Sequence, residues 1–239
     1  MDSLSKNKIK WVNSLRLKKN RLSEGVFVVE GHKIVSEILS NYPDLIELIA
    51  TTQIDKYHSE RTFQVDEKDI KKLSQLKTPP SVVAVVKRPE FKAQSTNFIL
   101  AIDGVQDPGN MGTIIRTADW FGIEKIYCSK DTVDAYNSKV VQASMGSIFR
   151  MEIKYTDLTV ELPKFNKPIY GASLDGANLY ESQLEQSAIL VVGNEGSGIS
   201  AEVQSIIHQS ILIPRKGKAE SLNVAIATGI LLSELSRLS

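Results

Sequence analysis

Three segments of this chain gather glycine and polar side chains in patterns that could hold a ligand and act on it. The first, Gly104-Val-Gln-Asp-Pro-Gly-Asn-Met-Gly112, runs on through Thr-Ile-Ile to Arg116. It reads as a loop that opens a helix, and a helix N-terminus with free backbone N–H groups suits an anion. Arg116 lies one turn past Gly112, so loop and guanidinium can face one site. The second, Gly193-Asn-Glu-Gly-Ser-Gly-Ile-Ser200, follows an apolar strand and combines three glycines with a carboxylate. Glycine permits positive φ and close backbone approach to a ligand, although a simple tight turn explains the same residues. The third runs from Pro214 to Ala225 and contains Ser221 and Asn223. Ser221 is expected to cap the last helix, with Asn223 in its first turn.

Familiar alternatives fail on their details. Gly104 to Gly109 matches the first part of a phosphate-binding P-loop, but Asn110-Met111 stands where Lys-Ser/Thr is required. The glycines do not form G-x-G-x-x-G, so the usual dinucleotide fingerprint is missing. His32, His58 and His208 have no carboxylate or Ser/Cys partner at nucleophile spacing and read as structural or exposed. A single cysteine, Cys128, excludes an intrachain disulfide and a Cys-based zinc site, and ending an apolar strand it is expected to be a buried, inert thiol. Asp103 and Asp107 share one loop, where two carboxylates ordinarily cap or solvate it; no metal is expected.

The elements that must position these segments follow from hydrophobic periodicity. Strands are expected at Phe98–Asp103, Lys125–Ser129, Met151–Tyr155, Ile169–Ser173, Ala188–Gly193 and Ser210–Ile213. Helices are expected near Gly112–Phe121, Ser138–Ser147, Asp157–Phe165 and Ser200–His208, with a last helix from about Ser221 to Leu238. Short apolar strands alternating with helices imply an α/β domain, a mostly parallel sheet with helices on both faces. In such sheets ligands bind beyond the carboxyl ends of the strands, where the three segments lie. Upstream, strands at Val26–Glu30, Leu45–Thr51 and Ser81–Val86, a helix at Gly31–Asn41 and a helix capped by Asp66 form a smaller α/β unit. The expected division is 1–88, a linker at 89–97 poor in apolar residues, and 98–239.

Across 239 residues, 29 basic groups nearly balance 28 acidic ones. That excludes an indiscriminate polyanion binder of the histone kind. The balance is unevenly spread: residues 1–98 carry a net +5 and residues 99–239 a net −4. Between Ser3 and Ser23 there are seven basic residues and no acid, with Ile9, Val12, Leu15 and Trp11 at spacings that can form one apolar helical stripe. A solvated helix face is the plainer account of such a run. No apolar run approaches the roughly 20 residues of a membrane helix, and no signal peptide is visible, so a cytoplasmic setting is expected.

Taken in order, Asn110, Gly112 and Arg116, then Gly193, Asn194, Glu195, Gly196 and Gly198, then Pro214, Ser221, Leu222, Asn223 and Ala225, resemble the SpoU (TrmH) family of RNA 2′-O-ribose methyltransferases of the SPOUT class. Phe27-Val-Val-Glu-Gly31 with the helix after it resembles that family's ribosomal-protein-like substrate-binding domain. The resemblance implies a C-terminal trefoil knot, a homodimer, and S-adenosyl-L-methionine as methyl donor. The cofactor would lie against Ser173, Leu174, Gly193, Asn194, Gly198, Ile213, Pro214 and Leu222. It implies catalytic roles for Arg116, Asn110, Glu195, Ser221 and Asn223, and a structured RNA as substrate, ribosomal RNA favoured over transfer RNA. Lys18, Lys19, Arg21 and Arg116 are the expected RNA contacts. The rival readings are a nucleotide-cofactor oxidoreductase and an RNA-binding module without catalysis. On the division of charge, deleting residues 1–22 is expected to weaken RNA binding more than cofactor binding.

Overall fold

The computed structural model describes residues 4–91 and 98–237, so residues 92–97 of the expected linker lie outside the described residues. The chain forms two compact units. One comprises Met1–Glu90 with Tyr136–Phe149, the other Phe91–Ala135 with Arg150–Ser239.

The first unit opens with helices α1 (Lys6–Ser14) and α2 (Lys18–Glu24), then β1 (Val26–Glu30), α3 (His32–Asn41), β2 (Ile46–Thr51), β3 (Thr62–Gln64), α4 (Glu67–Leu73) and β4 (Val82–Lys87). Its sheet has the order β1-β4-β2-β3, with β4 antiparallel to both neighbours and β3 parallel to β2. The Val-rich β1 and β4 are buried on both faces, which explains why they read as continuous apolar runs. Short β3 has only three residues and escaped the sequence reading. Asp66 caps α4 as expected, its carboxylate accepting from the Asp69 N–H at 2.8 Å.

The basic N-terminal segment is more structural than its charge suggests. Leu4, Val12 and Leu15 are part of the same core as Val28, Leu48, Val83 and Val85, with Ile9 and Trp11 packed against it. Deleting residues 1–22 would therefore remove core packing along with charge. Arg21, an expected RNA contact, is only 5% exposed. It donates to the carbonyls of Leu15 (2.8 Å) and Arg16 (2.9 Å), which are left without partners where α1 ends. Arg16 in turn donates to the Lys72 and Ser74 carbonyls at the C-terminus of α4. Lys8 lies 3.8 Å over the Phe63 ring. Lys6, Lys10, Lys18 and Lys19 are exposed.

The second unit contains β5 (Ile99–Ile102), α5 (Pro108–Trp120) and β6 (Lys125–Cys128). The chain next forms α6 (Ser138–Ser144), which belongs to the first unit: Phe27 meets the Tyr136 and Phe149 rings at 4.8 and 5.5 Å. The sequence division at 88 and 98 does not anticipate this, because α6 reads as one more crossover helix. The second unit resumes with β7 (Glu152–Tyr155), α7 (Leu158–Glu161), β8 (Ile169–Asn178), β9 (Ile189–Val192), α8 (Ala201–Gln204), β10 (Gln209–Leu212) and α9 (Val224–Arg237).

These strands form a six-stranded sheet, order β10-β8-β9-β5-β6-β7, parallel at every pairing. Ile99, Ala101, Ile189 and Val191 pack with Leu158, Leu162 and Val203 on one face. The alternate residues Leu100, Ile102, Leu190 and Val192 are equally buried, so both faces are covered. The chain leaves β5 toward β6 and β7, whereas β8 and β10 lie on the other side of β9. The strand order thus reverses between β5 and β9, and in open α/β sheets a ligand crevice forms at that reversal.

Arg21→Met should lower folding stability by about 1–3 kcal/mol, because the buried Leu15 carbonyl and the half-buried Arg16 carbonyl lose this donor. Lys19→Ala should stay within about 0.5 kcal/mol of the parent protein. Urea denaturation of the two variants checks both expectations.

Candidate active site

The three polar segments converge at the carboxyl ends of β5, β9 and β10. Directly after β5, buried Asp103 accepts from the Ser200 N–H at 2.7 Å, tying this strand to the end of the second segment. Gly104 follows at φ +73, a conformation that favours glycine. Its N–H points to the hydroxyls of Ser129 (2.9 Å) and Thr132 (3.0 Å), and its carbonyl accepts from Asn194 Nδ2 at 2.7 Å. Gln106 Nε2 donates to the Asp131 carbonyl at 2.6 Å. Asp107 then caps α5, accepting from the Asn110 N–H at 2.8 Å, with Pro108 in the first turn. Asp103 and Asp107 are thus spent on the fold, and among the described residues no group of three or more metal-ligating side chains occurs. Gln106, Ser129, Asp131 and Thr132 are the supporting residues that sequence reasoning missed. A Ser-Lys-Asp-Thr run after an apolar strand was the available signal, but its partners are 25 to 30 residues away.

Asn194 holds the second segment closed. Its Oδ1 accepts from the Gly196 and Ser197 N–H groups, and its backbone exchanges both hydrogen bonds with Gly198. Gly193 has no room for a side chain, since a Cβ there would come within 2.2 Å of the Gly198 carbonyl carbon. The space that its lack of a side chain leaves is filled by the protein's own backbone, not kept for a ligand.

Glu195 is the hub. One carboxylate oxygen accepts from Asn110 Nδ2 (2.9 Å) and the Asp107 N–H (3.2 Å), the other from the Gln106 N–H (3.2 Å). Asn110 Oδ1 accepts in turn from Asn223 Nδ2 at 2.8 Å. Asn223 Oδ1 accepts from the N–H groups of Ala225 and Ile226, making Asn223 the cap of α9. This corrects the expectation that Ser221 caps that helix. α9 begins at Val224, and capping needs an acceptor immediately before the first turn, which Ser221 is too far upstream to supply. Each amide orientation follows from the next: the helix cap sets Asn223, Asn223 sets Asn110, and Asn110 presents its N–H₂ to Glu195.

Burial on its own would push the Glu195 carboxyl up. The hydrogen bonds from Asn110 and from the backbone at Gln106 and Asp107 outweigh it and hold the group below the usual carboxylate range. Arg116 and Ser221 stand outside this chain. Both are exposed, and neither forms a hydrogen bond or ion pair with a described residue. Arg116 shares an exposed stripe of α5 with Thr113 and Trp120, the latter 84% exposed.

Of the expected cofactor contacts, Ile213, Pro214 and Leu222 lie between β10 and α9, outside regular secondary structure. The strand expected to end at Ser173 continues, as β8, to Asn178 and takes in both Ser173 and Leu174. They nonetheless leave the ladder. β10 pairs with Tyr170 and Gly171, then with Ala177 and Asn178, so the residues between bulge outward. Cys128 is buried, and burial pushes its thiol well up, as expected of an inert group.

The SpoU rRNA methylase family matches residues 97–233, the whole span that carries these segments. The chain belongs to the SpoU rRNA methylase family. An MRM3-like substrate-binding domain matches residues 6–84. The chain is 33% identical to the 23S rRNA (guanosine(2553)-2′-O)-methyltransferase RlmP of Bacillus subtilis, over 98% of each chain. Among solved structures, a TrmH-family protein from Porphyromonas gingivalis superimposes with a TM-score of 0.87, at 42% identity over the full length of both chains. An AdoMet-bound rRNA methyltransferase from Sinorhizobium meliloti gives 0.85, at 29% identity, covering 100% of this chain and 97% of that one.

Because its carboxyl is held low, Glu195 stabilises the SpoU-family site above the ordinary carboxylate pKa. That contribution should fade as pH falls through the lowered value. The stability difference between the parent protein and Glu195→Gln, measured by urea denaturation, should therefore be largest at neutral pH and shrink below about pH 4. A difference independent of pH would show that the ionised form is not what the loop requires.

Proposed function

We propose that this protein transfers a methyl group from S-adenosyl-L-methionine to a ribose 2′-OH of structured RNA, 23S ribosomal RNA rather than transfer RNA. The observation that carries the reading is the hydrogen-bonded chain Asn223–Asn110–Glu195. It joins all three polar segments at the strand-order reversal and leaves the exposed side chains of Arg116 and Ser221 uncommitted. Relatives that match over the full length support the ribosomal substrate, as does the substrate-binding domain match in the first unit.

The residues present fit the methyl donor in kind. The bulge at 172–176 and the stretch 213–223 lie off the ladders, where backbone N–H and C=O groups can meet an adenine edge. Leu174 and Leu222 offer exposed apolar surface at the same places. The cofactor supplies an activated methyl on a sulfonium centre. Gly193, Asn194, Gly198, Ile213, Pro214 and Leu222 would shape its cradle, with the Asn194 side chain holding the loop instead of the ligand.

The protein must align the 2′-oxygen and handle its proton. Arg116 is assigned to the phosphate beside the target ribose and to the developing oxyanion, since a guanidinium stays protonated in proteins. The proton then passes to that phosphate or to water. Glu195 is not the base in this reading, because its oxygens already accept three hydrogen bonds and its pKa is held low. Glu195, Asn110 and Asn223 set the loop, and Ser221 is left to meet the ribose. The reading also carries the trefoil knot and a cytoplasmic setting; no helix among the described residues is long and apolar enough to cross a membrane.

A homodimer is part of the same proposal. α9 exposes Ile226 (57%), which with Tyr180, Gly229, Ile230, Ser233 and Glu234 lines an open groove of about 430 Å³. A second copy covering this surface would remove exposed apolar area from water.

S-adenosyl-L-methionine should raise the melting temperature and NAD should not; the reverse would favour the oxidoreductase. Labelled methyl should pass to unmodified 23S ribosomal RNA, and its absence alongside intact RNA binding would favour a non-catalytic binding module. Arg116→Lys should lower kcat about 100-fold if the planar guanidinium is required. Ile226→Glu should shift the protein toward monomer in light scattering.

A further inference from the structure

Among the described cations of the second unit, Lys125, Arg150, Lys154, Lys164 and Arg237 each form an ion pair, with Glu152, Asp119, Glu161, Glu161 and Glu234 respectively. Arg116, Lys130, Arg215, Lys216 and Lys218 form none with a described residue. Three of these five fall within four residues, in the exposed stretch between β10 and α9. The only acid between Pro214 and Asn223 is Glu220.

The unit as a whole is acidic, so this is a local reversal of sign. Three neighbouring like charges repel one another, and an anion placed against them relieves that repulsion. The stretch is also tethered to the polar centre. Asn223, at its end, donates to Asn110 at 2.8 Å, and Arg215 NH1 folds back to the Ala219 carbonyl at 2.9 Å. The acids of that centre form no ion pair with these cations. Asp107 caps α5, Asp131 accepts from Ser129, and Glu195 is taken up by Asn110 and two backbone N–H groups. Lys216 and Lys218 have no structural contact that would account for them.

We infer that Arg215, Lys216 and Lys218 form a binding site for the RNA backbone, taking phosphates of the target strand next to the one assigned to Arg116. The inference rests on the proposed methyl transfer to RNA. Residues 215–218 span at most about 11 Å when extended, enough to meet neighbouring phosphates of one strand. Phosphate contacts fix register without reading sequence. They would place the target nucleotide against Arg116 and Ser221.

The test compares Lys216→Gln/Lys218→Gln with the charge-matched control Lys154→Gln/Lys164→Gln, both in the full-length protein. The probe is an unmodified 23S ribosomal RNA transcript. The loop variant should raise KM for RNA about tenfold. It should also flatten the slope of log affinity against log salt by about 1.4, two single-strand contacts. Its kcat at saturating RNA should stay within twofold, and its affinity for S-adenosyl-L-methionine should be unchanged. The control should leave KM and salt slope as in the parent protein. An unchanged KM and slope in the loop variant would overturn the inference. So would weaker S-adenosyl-L-methionine binding with normal RNA binding, which would assign the lysines to the cofactor's carboxylate. Failure of the parent protein to methylate any RNA would count against the proposed reaction alone, because the salt slope of RNA binding is read without turnover.

Discussion

The carboxylate of Glu195 is the point on which the second unit's polar centre depends. It gathers donors from the end of β5 and the start of α5. Through Asn110 it also reaches the cap of α9. The partners joined this way are 85 and 113 residues apart in the chain. A charge-assisted hydrogen bond is roughly twice as strong as a neutral one, and an ionised acceptor suits a cluster of backbone N–H groups that no regular element pairs. The parallel sheet brings the loops to one edge; the carboxylate fixes how they meet.

This arrangement separates residues that shape the centre from residues left to act. Asn110, Asn194 and Asn223 look catalytic as a set of conspicuous amides, yet each has its side chain committed to another part of the protein. Arg116 and Ser221 are uncommitted, and so are Lys216 and Lys218 after β10. Electrostatics follows the same division. Five cations of the acidic half are neutralised by ion pairs, whereas Arg116 on the α5 surface and Lys216 and Lys218 in the stretch before α9 are not. Net charge by halves therefore understates how much positive potential a ribose-phosphate strand would meet at the second unit.

The sequence was most legible where one interaction dominates. Buried strands announce themselves as Val and Ile runs, and β1, β4, β5 and β9 fall within a residue or two of their expected limits. Asp66 is a good acceptor immediately before a helix and caps it. Legibility failed where two local solutions compete or where a distant partner decides. Ser221 and Asn223 are both capable caps two residues apart, and the choice follows from where α9 begins, at Val224. Arg21 looks like one more cation in a basic run until the carbonyls at the end of α1 turn toward it. Segment 136–149 has the periodicity of a crossover helix, and nothing local reveals that its aromatic partners are Phe27 and Tyr42.

Sequence alone settles the class of this protein. Alternating apolar runs dictate a parallel α/β sheet, and the ordered set of glycines, amides and the arginine points to one family. Both depend on residue type and spacing, which the chain carries in one dimension. Which polar groups are spent on the fold and which remain free is settled by contacts between residues tens of positions apart. A hydrogen bond has direction and limited capacity, so the role of Asn110, Glu195 or Arg21 depends on what its partner already holds, and that becomes defined when the chain has folded.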